Sequence, residues 1–305
     1  MTIKEVSGKI LRKFIKKTFS FWQMLGFHIT SIHFYEPIPD TRKLKDNLWQ
    51  KHSQLIGINI NEKKQLELLS LFISKFKKEY KIFPKNGTHI QVPYQYYVNN
   101  GGFESVDGEI LYCMIRYFKP KRIIEIGSGN STYLSAQAIL KNKEEDKIDC
   151  ELIAIEPYPN KILEKGFPGL SKLIKKEIQD VGLSIFDQLK KDDILFIDSS
   201  HVLKIGGDVQ YEYLEILPRL NKNVIVHIHD IFLPVEYPKK WILKNNLFWT
   251  EQYLLQTFLT FNNTFEVLWA GSYMHIKNLE LLKKAFNSYN PKVTWPGSFW
   301  IRKKV

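Results

Sequence analysis

"RIIEIGSGNSTYLSAQAIL", Arg122 to Leu140, is an apolar burst, then two glycines one residue apart, then a helical pattern. The β-branched run Ile123, Ile124 and Ile126 reads as a buried strand. Gly127 and Gly129 permit a tight turn at which a ligand can reach the backbone, just ahead of a helix predicted from residue 131. The chain after Pro120 repeats this alternation. Strands are predicted at 122–126, 151–155, 173–177, 193–197, 224–229, 265–270 and 298–302, and helices at 131–140, 160–165, 184–190, 208–217 and 250–261. Strand, helix, strand in series implies right-handed crossovers and a mostly parallel sheet covered on both faces. The last two strands lack a clear long helix between them and predict an antiparallel edge.

The expected fold class is therefore α/β, a Rossmann-like doubly wound seven-stranded sheet, mostly parallel with an antiparallel edge strand, and with an N-terminal helical appendage. Residues 1–88 form the appendage, with helical patterns at 3–17 and 61–80, and residues 89–305 the main domain, which opens with a helix at 107–118. The 305 residues, 44% hydrophobic and 25% charged, suffice for one large or two smaller cores. Two cysteines without metal spacing read as reduced thiols of a cytoplasmic protein. No uninterrupted apolar run is long enough to span a bilayer. Residues 18–35 follow a basic run but contain His28 and His33 and precede no small-residue cleavage site, which argues against secretion.

The net charge of +12 is concentrated: residues 1–88 hold 17 Lys/Arg against 7 Asp/Glu, and the remainder 27 against 25. In residues 3–17, Ile3, Val6, Ile10 and Phe14 recur at helical spacing among Lys9, Arg12, Lys13, Lys16 and Lys17. Two readings stand open: a helix packed on its own domain with a solvated basic face, or a peripheral contact with an anionic membrane at its inner face.

In open sheets of this kind ligands bind beyond the carboxyl ends of the strands. There stand Glu125, Gly127 and Gly129, then Glu156, Asp198, His229 and Asp230, with Asp180 after the third strand. Thr132 occupies the third small position of a nicotinamide fingerprint, and no GK[ST] triplet makes a phosphate loop. Glu125, directly before the first glycine, repels a pyrophosphate and suits a ligand with a cationic centre and an amino group, as S-adenosylmethionine (SAM) has.

With those residues in place, "EIGSGNS" followed by Glu156 in "ELIAIEP" resembles the class I SAM-dependent methyltransferases. "DILFIDSSHVLKIGGDV" (193–209) and "VIVHIHDIFLPVEYP" (224–238) resemble a bacterial, largely uncharacterised subgroup of them, over about residues 96–302. "LNKNVIV" departs from that subgroup, many of whose members have a glycine pair there. The resemblance implies that Glu125, Gly127, Gly129, Ser131, Glu156, Asp180 and Asp198 bind SAM. Glu156 would take both ribose hydroxyls, Asp180 the adenine amino group, and the Val181 N–H a ring nitrogen. Metal-dependent relatives with acids at the fourth and fifth strand ends imply Mg²⁺ on Asp198 and Asp230; His229 stands where they tend to have another acid. A metal-free site with His201, His229 or Asp230 as base is the equal alternative, neutral imidazole being suited to that task. His227, inside its strand, reads as a core residue.

The function expected is O-methylation of a small-molecule acceptor or a glycan or lipid-linked saccharide. Against it stand a nicotinamide-dependent oxidoreductase and a non-catalytic, membrane-docking scaffold with the same fold. Nucleic acid is not an expected partner, since no base-flipping or RNA-binding motif is present. A homo-oligomer is left open.

Overall fold

The computed structural model describes residues 3–305, with side chains from Ile10 onward. In chain order the helices and strands are α1 (Ile3–Lys17), α2 (Phe19–Met24), α3 (Glu62–Tyr80), α4 (Asp107–Phe118), β1 (Arg122–Ile126), α5 (Asn130–Asp146), β2 (Glu151–Ile155), α6 (Lys161–Lys165), β3 (Lys172–Ile174), β4 (Ile194–Ile197), α7 (Asp208–Tyr211), α8 (Leu217–Arg219), β5 (Ile225–Ile228), α9 (Lys239–Leu243), α10 (Glu251–Leu259), β6 (Phe265–Ala270), α11 (Gly271–Lys277), α12 (Leu279–Ala285) and β7 (Phe299–Lys303).

The seven strands form one sheet in the order β3-β2-β1-β4-β5-β7-β6. β3, β2, β1, β4 and β5 run parallel, and β7 is antiparallel to both neighbours, entering between β5 and β6. The antiparallel edge is thus the β7–β6 pair. Strand order reverses between β1 and β4, and this opens the crevice in which α/β sheets bind ligands.

The side-chain alternation of a strand explains the two cores. Ile124 and Ile126 of β1 face one layer, with Ile153, Ile155, Leu195 and Ile197. Ile123 faces the other, with Leu152, Ile194 and Phe196, beneath α3, α4 and α5. Glu125 shares Ile123's parity, and β1 therefore carries this acid into a buried layer, where it is wholly inaccessible.

Three local departures from the sequence pattern have evident causes. β3 stops at Ile174, because Lys175, Lys176 and Glu177 are exposed on this edge strand. The helix expected at 184–190 is a 3₁₀ segment, Leu183–Gln188, and the one at 208–217 is interrupted by a π turn, Glu212–Ile216. Between β6 and β7 lie α11 and α12, two seven-residue helices meeting at Asn278, too short to produce a long periodic signal.

The chain divides at Gln50 rather than at residue 88. One compact unit comprises the residues up to Gln50 with Pro238–Phe248, and the other Lys51–Tyr237 with Trp249–Val305. The reason lies in α3. Its Leu69, Phe72, Phe76 and Tyr80 are buried in the same core as α4 and α5. Glu79 of α3 receives the Tyr112 hydroxyl (2.7 Å) and Arg116 Nε (2.9 Å). Arg116, only 4% exposed, also pairs with Glu145 and Asp146 of α5, so one buried guanidinium joins three helices.

Candidate active site

Register aligns the site. Ile126, Ile155 and Ile197 pair across β2, β1 and β4, so Gly127, Glu156 and Asp198 follow in a row just past the strand ends. The Gly127 N–H donates to the Ile155 carbonyl (3.0 Å), and the Asp198 N–H to the Ile126 carbonyl (2.9 Å). Gly127 has φ +76°, and a Cβ on it would lie 1.9 Å from the Asp198 carbonyl oxygen. Only glycine fits there. The Gly129 N–H is tied to Thr132 Oγ1 (2.9 Å), so the threonine in the third small position caps the turn.

A cavity of about 370 Å³ opens at this row, lined by Gly127, Glu156, Tyr158, Gln179, Asp198 and Ser200 among others. Glu156 is held by two backbone donors, Ser128 N–H to Oε2 (3.1 Å) and Tyr158 N–H to Oε1 (2.8 Å). A carboxylate has about four lone-pair directions, so each oxygen keeps one for a ligand hydroxyl. Glu125 lies under the loop, outside the lining. Ser131 Oγ donates to its Oε1 (2.5 Å), while Oε2 is buried without a partner. Burial pushes its pKa up to about 8 against the pull of Ser131 and Thr132, with Asp198 and Glu156 raising it further. Ser128 Oγ and Gln179 Oε1 are likewise buried and unpaired. Asp180 is exposed and does not line the cavity, and the Val181 N–H is engaged by the Ile178 carbonyl (3.0 Å). One residue earlier, on the 3₁₀ turn Ile178–Asp180, Gln179 occupies the place expected of Asp180.

On the far side of Asp198 the structure brings together all three predicted catalytic residues. His201 Nε2 lies 3.3 Å from Asp198 Oδ1 and 3.6 Å from Asp230 Oδ2. His229 Nδ1 lies 3.4 Å and 3.6 Å from the same two oxygens. Each imidazole has a further acid behind it. His201 Nδ1 meets Glu251 Oε2 at 2.9 Å, and Glu251 Oε1 accepts from the Tyr213 hydroxyl (3.1 Å). His229 Nε2 is 3.6 Å from Asp107 Oδ2, and Asp107 is fixed by the N–H groups of Gly297 (2.8 Å) and Ser298 (3.0 Å).

The acids weigh against the expectation of a neutral histidine base. Burial alone would lower the His201 pKa, but Asp198, Glu251 and Asp230 outweigh it and raise it to about 10. Asp230, Asp198 and Asp107 likewise raise His229 well above its ordinary value in spite of burial. Burial acts to raise Asp198, yet His229 and His201 hold it well below the usual carboxylate range. The surrounding acids thus favour the imidazolium form of both rings. His227 is different in kind. It lies 4.0 Å from the Phe196 ring and 4.7 Å from that of Trp300, with Nε2 3.1 Å from Ser298 Oγ, and burial pushes its pKa down. It is a neutral core residue.

Asp198, His201 and Asp230 each offer a ligand atom within 4.8 Å of the others. Of the expected pair for a metal, Asp198 and Asp230 are both present, and His201 joins them. Sequence reading missed Glu251, Asp107 and Gln179. Glu251 and Asp107 are the first residues of helices, which disguises them as ordinary first-turn acids.

Residues 124–231 match the family described as Methyltransferase domain. The chain is 34% identical over 172 residues to an uncharacterised protein of Archaeoglobus fulgidus, covering 53% of this chain and 74% of that protein. It is similar in structure to an O-methyltransferase from Bacillus cereus in complex with SAH, with 12% identity, TM-score 0.38, and 80% of this chain and 92% of that chain covered. It is also similar to the plantazolicin methyltransferase BamL in complex with a triazolic desmethylPZN analog and SAH, with 17% identity, TM-score 0.36, and 64% and 82% covered. Over residues 124–231 the chain belongs to the methyltransferase-domain family, consistent with a class I SAM-dependent methyltransferase.

Proposed function

We propose that the protein transfers a methyl group from SAM to a hydroxyl of a small-molecule or saccharide acceptor. The observation that carries this reading is the double position of Asp198, which lines the glycine-loop cavity and also borders the cluster of His201, His229 and Asp230. A cofactor in that cavity and an acceptor against that cluster would therefore be neighbours, as an in-line displacement requires.

The residues present fit SAM. Glu156 offers two oriented acceptor sites suited to adjacent hydroxyls, and Gln179 Oε1 is an unpaired acceptor suited to an exocyclic amine. Glu125 Oε2 and Ser128 Oγ are buried groups awaiting a polar partner at the turn. When bound, SAM supplies an electrophilic methyl on a cationic sulfur that departs as a neutral thioether. Among the chain's own groups, Asp230 Oδ2 takes the acceptor's proton, and the His201 and His229 imidazolium rings stabilise negative charge developing on the acceptor oxygen. The histidines act as electrostatic stabilisers rather than as bases.

A second reading is favoured by the triangle of ligand atoms on Asp198, His201 and Asp230. These residues would hold a divalent cation, with Glu251 orienting His201 from behind. Two carboxylates suit Mg²⁺, and the imidazole nitrogen admits Mn²⁺ equally well. The ion would supply Lewis-acid binding of acceptor oxygens.

The deciding experiment has two stages. Titration of S-adenosylhomocysteine into wild type and Glu156→Ala should give micromolar binding that the variant loses. Hydroxyl acceptors are then screened for S-adenosylhomocysteine release after chelation and with Mg²⁺ or Mn²⁺ restored. Turnover that survives chelation supports the imidazolium site, and turnover that returns only with the ion supports the metal site. No cofactor binding by wild type would overturn both.

A further inference from the structure

The unit formed by the residues up to Gln50 and Pro238–Phe248 has two properties that no part of the catalytic machinery uses. The first is its surface. Among the described residues, twelve of the twenty-seven exposed large apolar side chains fall between Ile10 and Ile38. Ile10 is 66% exposed, Phe14 57%, Phe21 51% and Met24 80%. Scattered exposed apolar residues are normal, but a concentration of this kind marks an interaction surface. The second is its charge. Residues 1–50 contain nine Lys/Arg and four Asp/Glu, and residues 238–248 add three lysines and no acid, so this unit carries +8 of the chain's +12.

The two properties are arranged on α1. Successive residues of a helix turn by about 100°. Ile10, Leu11, Phe14 and Ile15 consequently occupy one half of α1, while Arg12, Lys13, Lys16 and Lys17 occupy the other, with Lys13 and Lys17 beside the apolar border. Among the described residues, none of these four cations is paired with an acid. α2 continues the apolar display with Phe19, Phe21 and Met24, all exposed.

We propose that this segment docks the protein on an anionic lipid bilayer. α1 and α2 lie in the plane of the interface, their apolar side chains among the upper acyl carbons and the lysines reaching the headgroup phosphates. Charge selects this occupant. A second copy of the chain would bring the same +8 and be repelled. A nucleic acid would satisfy the lysines but offers no hydrocarbon for Ile10, Leu11 and Met24. Docking is independent of methyl transfer, and it would place the enzyme where lipid-linked acceptors are found.

The test is co-sedimentation of the full chain with phosphatidylcholine vesicles, with and without a phosphatidylglycerol fraction, at low and high salt. Binding is expected only to the anionic vesicles and to weaken as salt rises. A basic residue near such a surface contributes about fivefold in affinity, so Lys13→Glu/Lys16→Glu/Lys17→Glu, which reverses three charges, should bind at least about a hundredfold more weakly at low salt. Phe14→Glu/Phe21→Glu should lose binding at every salt concentration. Both variants alter only exposed side chains and should melt at the wild-type temperature. Equal partition onto neutral and anionic vesicles, or no partition onto either, overturns the proposal. So does a wild-type dimer in light scattering that Phe14→Glu/Phe21→Glu converts to monomer, because a second copy would then cover the face.

Discussion

Replacing Glu125 by glutamine separates what this side chain does for stability from what it does for binding. Its pKa in the folded chain is about 8 against an ordinary 4.5. A carboxyl whose folded pKa is raised binds its proton more tightly in the native state, so the native state is favoured at low pH. That advantage is lost as pH rises from the unfolded value through the folded one. Relative to acid pH, the native state is therefore less stable by roughly 3 kcal/mol at pH 7, approaching 5 kcal/mol above pH 8. Glutamine keeps the shape, retains an acceptor for Ser131 Oγ and does not titrate. The stability of Glu125→Gln relative to wild type, measured by urea unfolding, should rise by about 3–4 kcal/mol between pH 5 and pH 8. Cofactor affinity should move the other way. If a cationic ligand draws the carboxylate back to its ordinary pKa, wild-type affinity for SAM increases about fiftyfold from pH 6 to pH 8, with release of one proton in calorimetry. In the variant this dependence should disappear and affinity be lower throughout. A stability difference that stays flat with pH would refute the buried-acid reasoning. A pH-dependent stability difference with pH-independent binding would refute only the assignment of Glu125 to the cofactor.

Gly127→Ala should lose S-adenosylhomocysteine binding and destabilise the fold by about 2 kcal/mol or more, since the methyl meets the Asp198 carbonyl and the backbone is left-handed there; calorimetry and urea unfolding check the two effects. Glu251→Ala strips both His201 Nδ1 and the Tyr213 hydroxyl of a buried partner and should cost about 3 kcal/mol of unfolding free energy. Glu251→Gln, whose amide can meet both groups, should recover more than half of that loss, and equal losses in the two variants would show that filling space, not pairing, is what matters. Arg116→Met should destabilise by about 3 kcal/mol by leaving Glu79 and Glu145 without their shared cation. Limited proteolysis of that variant should cut first around α3, and an unchanged cleavage pattern would argue against α3 as a part of the catalytic unit.

What the chain reveals in one dimension depends on how far apart the cooperating residues lie. The row Gly127, Glu156 and Asp198 was legible because a parallel sheet places each candidate residue immediately after its own strand, so the apolar run announces the position. Asp180 was misplaced by a single residue because a 3₁₀ turn follows β3, and a one-residue shift in such a turn exchanges an exposed side chain for one that faces the cavity. The helix at 61–80 was legible as a helix but not as a member of the larger unit. Its allegiance is set by Arg116, which lies in a different helix and meets acids from two others. The histidines show the limit most sharply. Their positions at the ends of two central strands were evident, and the chemistry expected from position alone was that of neutral bases. Their protonation is set first by Asp198 and Asp230 beside the rings, and further by Glu251, fifty residues after His201, and by Asp107, more than a hundred before His229. A pKa is a property of what surrounds a group in space. The protonation of these rings is thus set by the four acids around them rather than by the rings themselves.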